Sequence, residues 1–270
     1  MKYFKIFGVE RVGTLYLKAL FDENIKGVYM MMRAFGSRHN PPLTSDQLRQ
    51  WVVKNRRYAG NDIVRLLTKM TRGKVKIHPI VVIKDPYIWY KSINRWRRGR
   101  GLDVIKEYKM YSKANAAFMD LLTNEEGVYG NLYAPGMYVR YEDLLRDPKK
   151  VLTIICDFYG IPRKNLRKEL IIPEKIKNSN KFTEKKRQMY LSMGPYKMPM
   201  ELINQITLLL DWDVMGTYFG YYPMDPRDFT ELSRGGKMQL ASKMWKNEII
   251  PVLSKYGADR RIGVRDRPIF

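Results

Sequence analysis

The chain has 270 residues, 45% of them hydrophobic, enough to bury the core of one α/β domain and too apolar for wholesale disorder. Lys and Arg number 50 against 27 Asp and Glu, a formal net charge of +23 that favours polyanionic partners without saying which. The single cysteine, Cys156, excludes an intramolecular disulfide and a cysteine-based metal cluster.

In chain order, Tyr3-Phe4-Lys5-Ile6-Phe7 reads as a buried strand ended by Gly8, and Thr14–Phe21 has helical composition. A second strand is predicted over Val28–Arg33, and a third, nearly all apolar, over Ile77–Ile83. Helices are predicted over Pro86–Trp96, Val104–Leu122, Pro148–Tyr159 and Met200–Leu210, with a short strand at Met137–Val139. Cys156 falls in the apolar helical run Val151–Phe158, where a thiol packs as a small hydrophobe. Short apolar strands alternating with helices are the pattern of a parallel sheet covered on both faces. From Pro223 the pattern changes: turn-like Asp225-Pro226-Arg227-Asp228 and Ser233-Arg234-Gly235-Gly236, one helix over Met238–Tyr256, then a basic end rich in breakers. The expected domains are therefore 1–222 and a C-terminal appendage, 223–270. No charged-then-apolar leader opens the sequence and no stretch approaches the roughly 18 continuous apolar residues of a membrane span. A cytoplasmic or otherwise soluble protein without a membrane anchor is expected.

The segment Gly8-Val9-Glu10-Arg11-Val12-Gly13-Thr14 joins the first strand to the first helix, with glycines spaced as in a phosphate-cradling loop. Backbone N–H groups and the positive end of the helix dipole converge on an anion there, and Thr14 adds a hydroxyl. A nucleoside triphosphatase needs Lys directly after the second glycine, where this chain has Thr14. A cation, Arg11, lies instead inside the loop, able to offset charge developing on a phosphate–sulfate bridging oxygen. Phe7 to Leu17 resembles the 5′-phosphosulfate loop of the sulfotransferases that use 3′-phosphoadenosine 5′-phosphosulfate (PAPS). Arg11, Gly13, Thr14 and Tyr16 match that family, whereas Glu10, Val12 and Leu15 replace its proline, serine and second threonine. The resemblance implies that Arg11, Val12, Gly13, Thr14, Leu15 and Tyr16 line the donor site.

Two further elements follow in the family's order. Lys84-Asp85-Pro86 through Ser92 resembles its 3′-phosphate site, a cation at a strand end and a serine eight positions on (92 − 84 = 8); Lys84 lacks the planar fork of the family's more usual Arg. Tyr138 to Pro148, containing Tyr141-Glu142-Asp143-Leu144, with Phe158-Tyr159-Gly160-Ile161-Pro162 after it, resembles a block read here as scaffold. The basic run Lys181–Tyr190 stands where the family closes over the nucleotide, which nominates Lys181 and Arg187. His39, in the segment Arg33–Pro42 beyond the second strand, resembles the histidine of an acceptor loop in some microbial and viral members and is the expected general base. Asp46 and Glu10 stand in reserve, and His78, before Pro79, belongs to the opposite end of the sheet.

The resemblance thus implies a three-layer α/β fold of the P-loop-like sulfotransferase class, with a central parallel sheet flanked by helices. It implies in-line transfer of a sulfuryl group from PAPS to a hydroxyl or amine, PAP as product, Arg11 and His39 as catalytic groups, and no metal. The acceptor class expected is an anionic glycan or a small molecule. Open alternatives are a basic nucleic-acid-binding protein, for which Arg95-Trp96-Arg97-Arg98-Gly99-Arg100 would serve, a P-loop-type kinase, and a catalytically degenerate homologue.

Overall fold

The computed structural model describes residues 1–31, 37–40, 42–55, 65–66, 68–70, 72–97, 103–123, 129, 132–174, 183–191, 198–224 and 245–256. Within these, β1 (Lys2–Phe7), α1 (Thr14–Asn24), β2 (Val28–Met30), α2 (Ser45–Asn55), β3 (Ile77–Ile83), α3 (Pro86–Trp96), α4 (Val104–Thr123), β4 (Met137–Arg140), α5 (Tyr141–Arg146) and α6 (Pro148–Phe158) follow one another. Then come α7 (Glu184–Leu191), α8 (Met200–Leu209), α9 (Trp212–Phe219), a π-helical turn at Trp245–Ile249 and α10 (Ile250–Tyr256). They divide into two compact units, one drawn from residues 1–83 and 113–182, the other from 84–112 and 183–268.

The first unit holds a four-stranded, all-parallel sheet in the order β2-β1-β3-β4. Alternation along β1 sends Phe4 and Phe7 to opposite faces. On one face Phe4 meets Phe21 of α1 at 5.7 Å between ring centroids, Tyr159 at the end of α6 at 5.0 Å, and His78 at 5.2 Å. On the other, Phe7 meets Phe118 of α4 at 5.9 Å and Tyr133 at 6.2 Å. Both faces are covered, so the strands are apolar on both sides, and the expected layered α/β class with a central parallel sheet is what this unit is. Pro79, which has no N–H to give a ladder, sits between an isolated bridge at Ile77–Tyr133 and the start of β4 pairing at Ile80. Lys5, on the Phe7 face, is fully buried.

Two helices start by the same device. Asp85 accepts from Ile88 N at 2.9 Å with Pro86 in the first turn, and Asp147 accepts from Lys150 N at 2.9 Å with Pro148 in the first turn. Asp211 caps α9, which Gly220 ends at φ 66°. Cys156 is buried in α6 as a small hydrophobe. The second expected strand is shorter than read from sequence, closing at Met30; residues 32–36 are outside those described. Helices α2 and α5 are not among the elements expected from the sequence.

The second unit is built on aromatics. Tyr90 stacks on Tyr108 and Trp89 tilts against Tyr111 at 4.6 Å. Their hydroxyls find buried acceptors: Tyr108 donates to Pro86 O and Tyr111 to Lys84 O, each at 2.7 Å, and Tyr87 shares a hydrogen bond with Thr207 at 2.8 Å. Arg97 and Glu107 form an ion pair. Of the expected appendage, 223–224 and 245–256 are described, with Trp245, Ile249 and Leu253 buried together and Lys255 paired to Asp213 at 3.2 Å. No helix among the described residues is long and apolar enough to cross a membrane.

Candidate functional site

The loop from Gly8 to Gly13 is held by its glycines. A Cβ on Gly8 would come within 2.5 Å of Val82 O, and one on Gly13 would stand inside the Tyr141 ring. Gly13, at φ 98°, caps α1 without a side-chain bond, so the helix start is covered by backbone alone. Tyr16 N and Leu17 N bond Gly13 O at 2.9 and 3.1 Å; the N–H groups ahead of them are those a helix start offers to an anion. Arg11 is exposed at φ 69°, the one non-glycine residue at positive φ among those described. That conformation costs an L-residue about 1–2 kcal/mol and is a kind of strain that gathers at functional loops.

The other loop residues divide by burial. Val12 is 1% exposed, with its side chain against Gly8. Tyr16 is buried edge-on to Tyr141, ring centroids 6.5 Å apart, and Leu15 is half-buried. Thr14 is buried and its hydroxyl accepts from Arg38 Nε at 3.1 Å, which leaves the Thr14 proton free to donate elsewhere. The scaffold reading of Tyr141-Glu142-Asp143 agrees with the packing: the Tyr141 ring backs Gly13 and Tyr16, while Asp143 accepts from Arg140 at 2.7 Å and pairs with Arg146 at 3.6 Å.

Segment 37–40 is laced onto this loop. Gly8 N donates to Arg38 O at 3.0 Å, Arg38 reaches Thr14, and the His39 ring bonds Gly8 O through Nδ1 at 2.8 Å. A carbonyl accepts and cannot donate, so Nδ1 carries the proton and Nε2 holds the lone pair of the neutral ring. Burial holds the imidazole below its ordinary pKa; the Gly8 carbonyl pulls the other way, Arg38 reinforces the burial, and Glu10 opposes it. The ring is therefore neutral, with one nitrogen positioned as a proton acceptor, around pH 7. Sequence reasoning nominated His39 and did not nominate Arg38, whose contact with Thr14 is long-range and leaves no local motif. Asp46 is exposed in the first turn of α2, 3.6 Å from Arg49, and His78 lies at the start of β3 against Phe4 and Tyr159, its pKa pushed down to about 4 by burial and by Lys2.

In the second unit, Lys84 is buried, with its ammonium 5.7 Å from the Tyr190 ring of α7. Arg187, one turn earlier on that helix, pairs with Glu184 at 2.9 Å. Ser92 is half-buried on α3. Lys181 lies outside the described residues.

No family model matches the chain, and no curated protein does. Among solved structures, the sulfotransferase domain from the Synechococcus PCC 7002 olefin synthase is similar at 18% identity and a TM-score of 0.37, over 78% of this chain and 94% of that one.

Proposed function

We propose that this protein is a sulfotransferase that uses PAPS and transfers its sulfuryl group to a hydroxyl or amine of an anionic glycan or small molecule. The observation that carries this reading is the lacing of segment 37–40 onto the glycine loop. It bonds His39 Nδ1 to Gly8 O, which leaves Nε2 as the ring's proton-accepting nitrogen, and it bonds the Arg38 guanidinium to Thr14, the first residue of a helix whose preceding glycine leaves no room for a side chain. The donor set fits a phosphosulfate: a helix N-terminus capped by glycine, the Thr14 hydroxyl, and cations at positions 11 and 38.

When bound, PAPS supplies an activated sulfuryl group and a phosphate leaving group. Arg11 and the N–H groups of Val12 to Leu15 would hold the 5′ end, and Lys84, Ser92, Arg187 and Lys181 the 3′-phosphate. Arg38, fixed on Thr14, orients that hydroxyl toward the anion. His39 Nε2 takes the acceptor's proton as the new bond to sulfur forms, and Nδ1 stays bonded to Gly8 O, so the imidazolium is met by a carbonyl on one side. Arg11 and the helix dipole offset charge on the departing phosphate.

Titration calorimetry with PAP and with adenosine 5′-phosphosulfate tests the reading. Wild-type protein should bind both, and Lys84→Ala should weaken PAP by about tenfold or more, the worth of a charge-assisted contact, while leaving the ligand that lacks a 3′-phosphate unchanged. No heat with saturating PAP sinks the proposal. With binding in hand, transfer of ³⁵S from PAPS onto glycans, phenols and tyrosyl peptides identifies the acceptor.

A further inference from the structure

Helix α4 has two unlike faces. Tyr108 and Tyr111 are buried, and Glu107 is buried in its ion pair with Arg97 at the end of α3. On the outer face Ile105, Lys106, Lys109 and Met110 are exposed, and Lys113 continues the row one turn on. At about 100° per residue the three lysines fall within about 60° of one another over about 10 Å of helix, with Ile105 on one flank and Met110 on the other. The Trp96 ring lies 5.8 Å from the Arg97 guanidinium. Glu107 and Met110 are neighbours at i,i+3, so the Arg97–Glu107 pair brings Trp96 to the Met110 flank. Trp96, Ile105 and Met110 are 53%, 52% and 52% exposed, half of the six large apolar side chains among the described residues that are more than half exposed. Exposed apolar surface is thus concentrated beside this row of lysines.

Neither half of this patch helps the fold. Like charges at i,i+3 and i,i+4 repel each other, and apolar side chains left in water gain nothing from burial. The acids of α4 and its cap are engaged or distant: Asp103 accepts from Lys106 N at 3.1 Å, Glu107 pairs with Arg97, and Asp120 stands two turns beyond Lys113. Cations bordered by apolar side chains complement an anionic surface with carbon beneath it, as at the interface of a bilayer with acidic lipids. Single-stranded nucleic acid offers the same charge but holds to stacking platforms, and only one of the three apolar residues is aromatic.

We propose that this face of α4, with Trp96 beside it, lies on the surface of an anionic membrane. Lys106, Lys109 and Lys113 meet acidic headgroups, and Trp96, Ile105 and Met110 enter the boundary between headgroups and acyl chains. The contact is interfacial: among the described residues, no helix is long and apolar enough to cross a membrane. It needs neither PAP nor an acceptor.

The full-length chain is sedimented with vesicles of phosphatidylcholine alone and of phosphatidylcholine with phosphatidylserine, across a salt series. It should bind the anionic vesicles about tenfold or more better than the neutral ones, and added salt should weaken that binding. Lys106→Gln with Lys109→Gln and Lys113→Gln should weaken it by about a hundredfold, at about fivefold for each lysine held at an anionic surface. Removing the same charge elsewhere, by Lys149→Gln with Lys164→Gln and Lys168→Gln, should cost no more than about threefold, since charges beyond a screening length contribute little. Trp96→Ser with Met110→Ser should weaken binding by about tenfold through lost apolar area. All of these positions are exposed and glutamine is a good helix former, so the variants keep their fold, which circular dichroism checks. No binding, or equal binding to neutral and anionic vesicles, overturns the proposal. So do equal effects of the two lysine triples, because attraction would then belong to net charge, and so does binding that survives the serine pair. A single-stranded oligonucleotide that the α4 triple releases, with vesicles left unbound by the wild type, also overturns it and gives the face to nucleic acid.

Discussion

Replacing Lys5 by methionine should stabilise the protein, and by an amount that depends on pH in a defined way. The Lys5 side chain is fully buried on β1, with its ammonium 5.3 Å from the Phe7 ring centroid, and desolvation pulls its pKa from 10.5 down to about 7. In the unfolded chain the amine keeps its proton up to about pH 10.4. Between pH 7 and 10.5 the unfolded state therefore binds more protons than the native state, so stability rises with pH across that window and is flat below it. Over 3.5 pH units, at about 1.4 kcal/mol each, the native state is about 5 kcal/mol worse off at pH 7 than at pH 10.5. That is a large fraction of the 5–15 kcal/mol by which domains are typically stable. Methionine keeps the unbranched shape without the charge. Urea unfolding followed by tryptophan fluorescence, at half-unit steps from pH 6.5 to 10, gives ΔG for both proteins. Every other lysine and tyrosine is common to the two, so the difference between the curves isolates position 5. It should shrink by several kcal/mol as pH rises. Parallel curves would show that Lys5 stays protonated in the fold, through partners strong enough to offset its burial.

Gly13→Ala should cost about 1–3 kcal/mol of stability, because the residue sits at φ 98° and its Cβ would enter the Tyr141 ring; thermal unfolding reads this, and PAP binding should fall with it. His39→Ala should keep near-normal PAP affinity while lowering turnover by about 10²–10⁴-fold, the range of a lost general base, whereas Arg11→Ala should lose affinity as well; full turnover by the His39 variant would move the base to Asp46. For wild type, the acid limb of turnover should fall below pH 6.5, since burial holds the His39 pKa under that of the free side chain. His78, pushed down to about 4 by burial and Lys2, is neutral in the fold while the unfolded chain protonates near 6.5. Stability should therefore drop as pH falls from about 6.5 to 4, and His78→Phe should flatten that limb of the urea midpoint.

Hydrophobic period, Asp-Pro helix starts and glycine punctuation carried much of this protein in the sequence alone. β3 and α3 begin and end where the pattern places them, α4, α6, α8 and β4 differ at one end by a residue or two, and the parallel α/β class follows from short apolar strands alternating with helices. These features are local: a strand buried on both faces must be apolar along its length, and a cap acts on residues three positions away. The glycine loop and Thr14 could be nominated from spacing, and His39, Lys84 and Ser92 from the resemblance to the sulfotransferase family.

Tertiary structure decided what spacing cannot encode. The chain gives no local sign that segment 37–40 returns to the mouth of a loop about thirty residues earlier, yet that return fixes which nitrogen of His39 holds a proton and turns Arg38 toward Thr14. Nor does composition show that Val12 packs against Gly8, that the Tyr141 ring forbids a side chain at Gly13, or that Lys5 is the lysine enclosed by the sheet's helical cover. Each of these depends on contacts between residues far apart in sequence, made once the layers close and water is excluded, and a pKa, a tautomer or a steric limit exists only after that burial.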